Sequence, residues 1–403
     1  MQTEDLQVAG PTPVPSAARS SYPRLRGGVD VWPLFPPRRA KPGVYIVGDL
    51  RLDCYVVITE DKIAVVKHIL PMLDGFHSSA EIDAYILCEK HKQVRSELLC
   101  AQLADAGLIE GTQIPPGDFT KASVQVGGVN IAPFMTAASR LPKLWTNIAS
   151  LLCLALIVSG LALIYMSWPQ ITLPLSAIWA GSRAYLSSSA FALYFATFLI
   201  ATLAHELAHG IAAAFFGLIA SRIEVSLYLG IIPMVYLRIP GLYTLSPKRR
   251  IITWSAGVFI NLTFAALGMI VLSYMPFDRG VPRYLAVFIL VNYTFALTNL
   301  IPFLPTDGYF IFSTIFRLHN IRRRSTYQLM RSVSERKLFL STSALFYLSA
   351  TAALIALAVW RDLLCIFRLG LHHKLASALV AFLFFLPWAI QTVKRLKQPA
   401  GSG

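Results

Sequence analysis

The chain has 403 residues, 55% of them hydrophobic and only 14% charged, where an ordinary soluble domain carries about a quarter charged residues. Its net charge of +15 is not gathered on a nucleic-acid-binding segment but falls in clusters that bracket long apolar runs. Composition thus excludes a simple soluble domain, argues against nucleic acid as a partner, and makes the lipid bilayer the expected surroundings.

Residues 1–42 are rich in Pro, Arg, Ser and Gly, including Pro11, Pro13, Pro15, Pro23, Pro36 and Pro37, and are expected to form a flexible arm. The opening is polar and acidic (Gln2, Glu4, Asp5), without the apolar core of a cleavable signal peptide. From 43 to 111 a small soluble α+β unit is expected. Three short β-rich runs (Val44–Val47, Tyr55–Ile58 and Ile63–Val66) precede two helices. Ser78-Ser79-Ala80-Glu81 reads as a capping box opening the first helix, through about Lys90; the second covers Val94 to Ala106 and is closed by Gly107. Residues 112–143 read as a linker, with Gly127, Gly128 and Pro133 interrupting any long element. The five cysteines (Cys54, Cys88, Cys100, Cys153 and Cys365) lack paired spacing and suggest neither disulfides nor a cysteine metal site.

The remainder, 144–397, is expected to be an α-helical polytopic membrane domain of about six transmembrane helices, near 144–166, 189–217, 251–275, 284–314, 338–360 and 376–393. The stretch 168–182, broken by Pro169 and Pro174, reads as a surface or re-entrant segment. Basic clusters at Arg140 and Lys143, at Lys248-Arg249-Arg250, along Arg317 to Lys337, and at Lys394-Arg395-Lys397 fall on one side of such a bundle. By the positive-inside rule that side is the cytoplasm, and it holds both termini. Arg361, Arg368 and Lys374 fall on the opposite side, against the rule.

Within the second apolar run lies His205-Glu206-Leu207-Ala208-His209. Positions i and i+4 share a helical face, so both imidazoles can reach one metal ion, and the intervening glutamate can work as the base on water. Reading the pair as ordinary core histidines would strand Glu206 in lipid at a cost on the order of several kcal/mol. A catalytic zinc site uses three protein ligands and keeps one position open. After Lys121 the acidic residues are Glu206, Glu224, Asp278, Asp307, Glu335 and Asp362, and three of these (Asp278, Glu335, Asp362) fall in expected loops. Glu224 remains a candidate third ligand, although a surface pairing beside Arg222 would also account for it. Asp307 lies in the fourth run, where Pro302, Pro305 and Gly308 interrupt the helix; broken helices at membrane depth are tolerated where they are packed in protein or line a cavity.

His205-Glu206-x-x-His209 with Asn299-x-x-Pro302 and Asp307-Gly308 is similar to the paired motifs of the site-2 protease family of intramembrane zinc metalloproteases, over roughly residues 185–315. The sequence departs from many members at Leu304 and Thr306, where they carry proline and leucine. The resemblance implies one zinc per chain held by His205, His209 and Asp307, Glu206 as catalytic base and Asn299 as a substrate contact. It also implies that Gly257 and Asn261 form a close helix contact, and that Arg222 to Leu245 form a hairpin on which an extended substrate pairs. Leu70-Pro71-Met72-Leu73-Asp74-Gly75, the helix at Glu81-Ile82 and Leu103 to Ile109 resemble PqqD-like winged-helix domains, which bind precursor peptides; the alternative is a purely structural or dimerising role, since any small winged-helix fold shows the same pattern.

The expectation is a zinc metalloendopeptidase of a bacterial inner (cytoplasmic) membrane that cuts a ribosomally made precursor peptide held by residues 43–111, with peptide-export proteins as further partners. Regulated intramembrane proteolysis of a membrane-anchored signalling protein is a second expectation. A non-proteolytic export component or transporter with a retained metal site is a third, and the intact Glu206 speaks against it.

Overall fold

The computed structural model describes residues 22–38, 41–50, 52, 54–91, 93–114, 123–166, 188–228, 232–275, 283–304, 306–335 and 339–368. The apolar segments expected at 168–182 and 376–393, the first 21 residues, and the cluster Lys394-Arg395-Lys397 lie outside them. Among the described residues the chain is mostly helical, with eleven α-helices and two small antiparallel sheets.

The first sheet comprises β1 (Val29–Phe35), β2 (Val44–Asp49) and β3 (Cys54–Thr59), in the order β1-β2-β3. β1 corrects the flexible arm expected to reach residue 42. Leu25, Val29 and Val31 pack against the core of this unit, and Pro33 is tolerated because an edge strand need not donate at every residue. The prolines around it hide the strand in the sequence. A second correction concerns Ile63–Val66, which belongs to α1 (Glu60–Ile69) and not to a strand. Ile63, Val66 and Ile69 recur at three-residue intervals and are buried, so helical burial overrides the β-preference of branched side chains. α2 (Ser79–Lys90) opens with the expected capping box: Ser78 Oγ accepts from the Glu81 N–H, and the Glu81 carboxylate accepts the Ser78 N–H at 2.7 Å. The Ser78 N–H and the Ser78 hydroxyl both donate to that carboxylate and hold its pKa below the ordinary value. α3 (Ser96–Asp105) ends before Gly107, whose φ of 72° closes the turn. Ile82, Ile86, Leu99, Cys100, Leu103 and Leu108 fill the core between the helices and the sheet.

The segment expected as a linker is also structured. β4 (Ser123–Asn130) pairs with β5 (Arg222–Tyr228), and β5 with β6 (Ile232–Arg238), giving a second sheet in the order β4-β5-β6. Gly127 marks a register shift in β4, so the glycine that seemed to end an element makes a bulge within one. α4 (Ala132–Ser139) starts with Pro133 in its first turn, where proline is favoured, and its fully buried Met135 packs against Gly210.

The long apolar helices are α5 (Lys143–Met166), α6 (Ser188–Phe215), α7 (Pro247–Ser273), α8 (Arg283–Asn299) and α11 (Thr342–Arg368). Two of them are long and apolar enough to cross a membrane: α6 over Ala192–Phe215 and α7 over Pro247–Ser273, with mean hydropathy 1.4 and 2.0. The run 284–314 is not one helix. α8 stops at Asn299, and α9 (Asp307–Phe316) begins after a break; α10 (Ile321–Ser334) then carries the basic segment. α7 is central and packs on α5, α6, α8 and α9. Small residues permit the approach: a Cβ on Gly160 would lie 2.5 Å from Ala266, and one on Gly268 would lie 2.7 Å from Ile289.

Candidate metal centre

His205 and His209 sit one turn apart on α6, both buried. The chain break before α9 brings Asp307 to them as the first residue of that helix. Its carboxylate Oδ2 is 2.8 Å from His205 Nε2 and 3.2 Å from His209 Nε2. The three side chains each offer one ligand atom, and these atoms lie within 4.8 Å of one another, so the group could hold a metal ion.

Neighbouring acceptors fix which ring nitrogens face the cluster. His209 Nδ1 donates to the Thr253 carbonyl at 2.7 Å, and a carbonyl can only accept. His205 Nδ1 is 2.6 Å from Asn261 Oδ1. The Asn261 amide nitrogen donates to the Ala201 carbonyl and to Asn292 Oδ1, so its oxygen is left to accept from the imidazole. Both neutral histidines are thereby held with the proton on Nδ1 and a lone pair on Nε2, as metal-binding histidines are. Two lone pairs and a carboxylate oxygen converging in a buried site repel one another unless a proton or a cation lies between them. The donor set therefore fits a divalent ion of borderline softness such as zinc, which takes imidazole nitrogen and carboxylate oxygen together.

Glycines make the approach possible. A Cβ on Gly257 would stand 2.5 Å from His205 Nε2 and 2.6 Å from two ring carbons. A Cβ on Gly308, next to Asp307, would stand 2.4 Å from the Leu300 carbonyl oxygen. Phe295 closes another side of His205, edge to face at 5.1 Å.

Glu206 turns toward β6, where its carboxylate accepts the Leu237 N–H at 2.9 Å. Glu224 is not part of the cluster. Nor does it make the surface pairing expected beside Arg222: it is buried and accepts from the Tyr236 hydroxyl across β5 and β6, while Arg222 donates to the Gly128 carbonyl. Asn299 ends α8 with its amide donating to the Phe295 carbonyl of its own helix. Sequence reasoning noticed Asn261 only as a polar neighbour in a helix contact; its place behind His205, and that of Asn292 behind it, went unread, although asparagines inside apolar helices were the available signal. The Thr253 carbonyl and Leu237 N–H are backbone groups and leave no trace in sequence. No family model, curated protein or solved structure matches the chain.

Proposed function

We propose that the protein is an intramembrane zinc metalloendopeptidase, with His205, His209 and Asp307 holding the metal and Glu206 as general base. The observation that carries this reading is the convergence of two Nδ1-tethered histidines and one carboxylate beside a glutamate on the same helix. A structural polar cluster would need no such tautomer control, nor a glutamate left uncommitted to any cation. Membrane embedding is supported by the apolar side chains that α5 leaves exposed, Leu151, Leu152, Val158 and Leu161 among them, a surface too extensive for water.

Zinc bound there would acidify a water molecule and polarise the scissile carbonyl. Glu206 takes the proton as water adds to that carbonyl, then gives it to the departing amine, so the C–N bond breaks with the charge balanced. The break between α8 and α9 and the hairpin β5–β6 leave non-helical backbone beside the site. Such surroundings suit a substrate that must be extended before attack, since helical hydrogen bonding shields a peptide bond. The substrate class we favour is a ribosomally made precursor peptide, retained by the N-terminal unit of β1–β3 and α1–α3. The expected placement is a bacterial inner membrane with both termini and the basic helix α10 on the cytoplasmic side.

Elemental analysis of the detergent-purified chain tests the metal. About one zinc per chain is expected, and it should be absent when His205, His209 and Asp307 are replaced together. Occupancy near zero after zinc supplementation, or occupancy unaltered by the triple replacement, sinks the proposal.

A further inference from the structure

The C-terminal end of β1 is held by two arginines from different parts of the helical bundle. Arg250, in the first turn of α7, is 1% exposed, donates to the Leu34 carbonyl and lies over the Phe35 ring at 5.0 Å. Arg317, at the C-terminus of α9, lies over the same ring at 5.5 Å. It also donates to the carbonyls of Phe35, Pro36 and Pro42 at 3.2, 2.9 and 3.0 Å. Phe35 is itself buried, so a strand of the N-terminal unit ties α7 to α9.

These two helices flank the metal cluster: α7 braces the two histidines that α6 supplies, and α9 supplies Asp307. Along one face of α7, Arg250 is followed by Thr253, whose carbonyl holds His209, by Trp254, by Gly257, against which His205 packs, and by Asn261, which holds His205. α9 begins with Asp307 and ends beside Arg317, so ten residues, about 15 Å of helix, separate the ligand from the clamp. Midway the helices meet where Trp254 stacks on Phe310 at 5.3 Å and 22°. α7 and α9 are therefore joined at the middle by an aromatic stack and at the far end by Phe35.

We propose that Phe35 and Arg317 are positioning residues: docking of β1 sets the angle between α7 and α9 and so the distance from Asp307 to the two histidines. The arginines explain why the link can be reversible. Arg250 Nε and Arg317 Nη1 are buried without a hydrogen-bond partner, and among the described residues no carboxylate pairs with either guanidinium. The buried Arg250 and the half-buried Arg317, held by carbonyls and a ring face, regain hydration on release, which lowers the cost of undocking. A ligand that prefers the docked or the undocked N-terminal unit would then bias the cluster by its differential affinity for the two states. As a statement about turnover this rests on the hydrolase reading; as a statement about the geometry of the cluster it does not.

Hydrogen exchange on the full chain in detergent micelles, comparing wild type with Phe35→Leu and Arg317→Lys, decides the matter. Phe35→Leu keeps an apolar side chain but removes the ring face, and Arg317→Lys keeps the charge but not the fork that reaches three carbonyls. The expected result is an exchange rate at least threefold higher across 306–312 in both variants, with 151–163 in α5 unchanged. A visible absorption shift in the Co2+-loaded variants should accompany it. Faster exchange confined to 29–49 overturns the proposal, and so does a uniform rise that includes α5, because β1 would then stabilise the fold and not the site. If wild type binds neither zinc nor Co2+, the hydrolase reading fails and the exchange pattern still judges the coupling.

Discussion

At the scale of single residues, the centre depends on groups that differ in kind. On the proposed reading Glu206 is the general base, so Glu206→Gln should lower cleavage of a precursor peptide by at least ~10²-fold while zinc content stays at the wild-type level. Parallel assays of peptide hydrolysis and bound metal check this; activity within about tenfold of wild type would remove the base from the mechanism. Gly257 participates only by lacking a side chain. Since a Cβ there would stand 2.5 Å from His205 Nε2, Gly257→Ala must move either the helix or the ligand. Zinc affinity should fall by about tenfold or more, as it does when a group orienting a ligand is altered, and chelator competition would measure it. Cys100 is a contrasting residue. Burial pushes its thiol up to about 11, whereas Cys88 is exposed; maleimide should therefore label Cys88 readily and Cys100 only on unfolding, as peptide mass mapping would show.

At the scale of elements, the hairpin is the part most open to a clean test. The Leu237 N–H leaves β6 on the side away from β5, because it reaches Glu206, so no ladder bond within the sheet is lost if proline replaces it. Leu237→Pro should keep zinc and the fold but free the carboxylate of one donor. The expectation is a change of about tenfold or more in kcat/KM, in line with about 1.5–3 kcal/mol for a hydrogen bond to a charged group. Steady-state kinetics with metal analysis decide it, and an unchanged kcat/KM would make that bond incidental. Elements also mark how far the sequence could be read. The His-Glu-x-x-His helix, the capping box at Ser78 and the break before Asp307 each rest on local chemistry, and each lies where the local pattern puts it. What escaped were pairings set by distant partners. β1 hides among prolines because its partner is β2 and its anchors are Arg250 and Arg317, while β4 is hidden by the two glycines within it because β5 lies about ninety residues on. The tautomer control of His209 rests on a carbonyl, which no side chain betrays.

For the whole molecule, the question is orientation. If the basic segments face the cytoplasm, cysteine labelling or reporter fusions should place Arg322 and Lys397 inside and Asp278 outside; Lys397 and Asp278 lie beyond the described residues. Arg322 and Asp278 on the same side would break the expected span count. Orientation bears on the N-terminal unit as well, since its strand β1 is bound to the C-terminus of α9 and must share that side.

The bond from Arg317 to Phe35 spans 282 residues of chain, and this separation sets a timetable for synthesis. At ordinary translation rates, about 15–60 s pass between the emergence of Phe35 and that of Arg317. For the part of that interval in which the 102 residues from His205 to Asp307 are added, both histidines exist while the aspartate and the clamp have not yet been made. A nascent chain of this protein therefore carries two of the three candidate ligands, and no fastening for the third, until Asp307 and then Arg317 have been added.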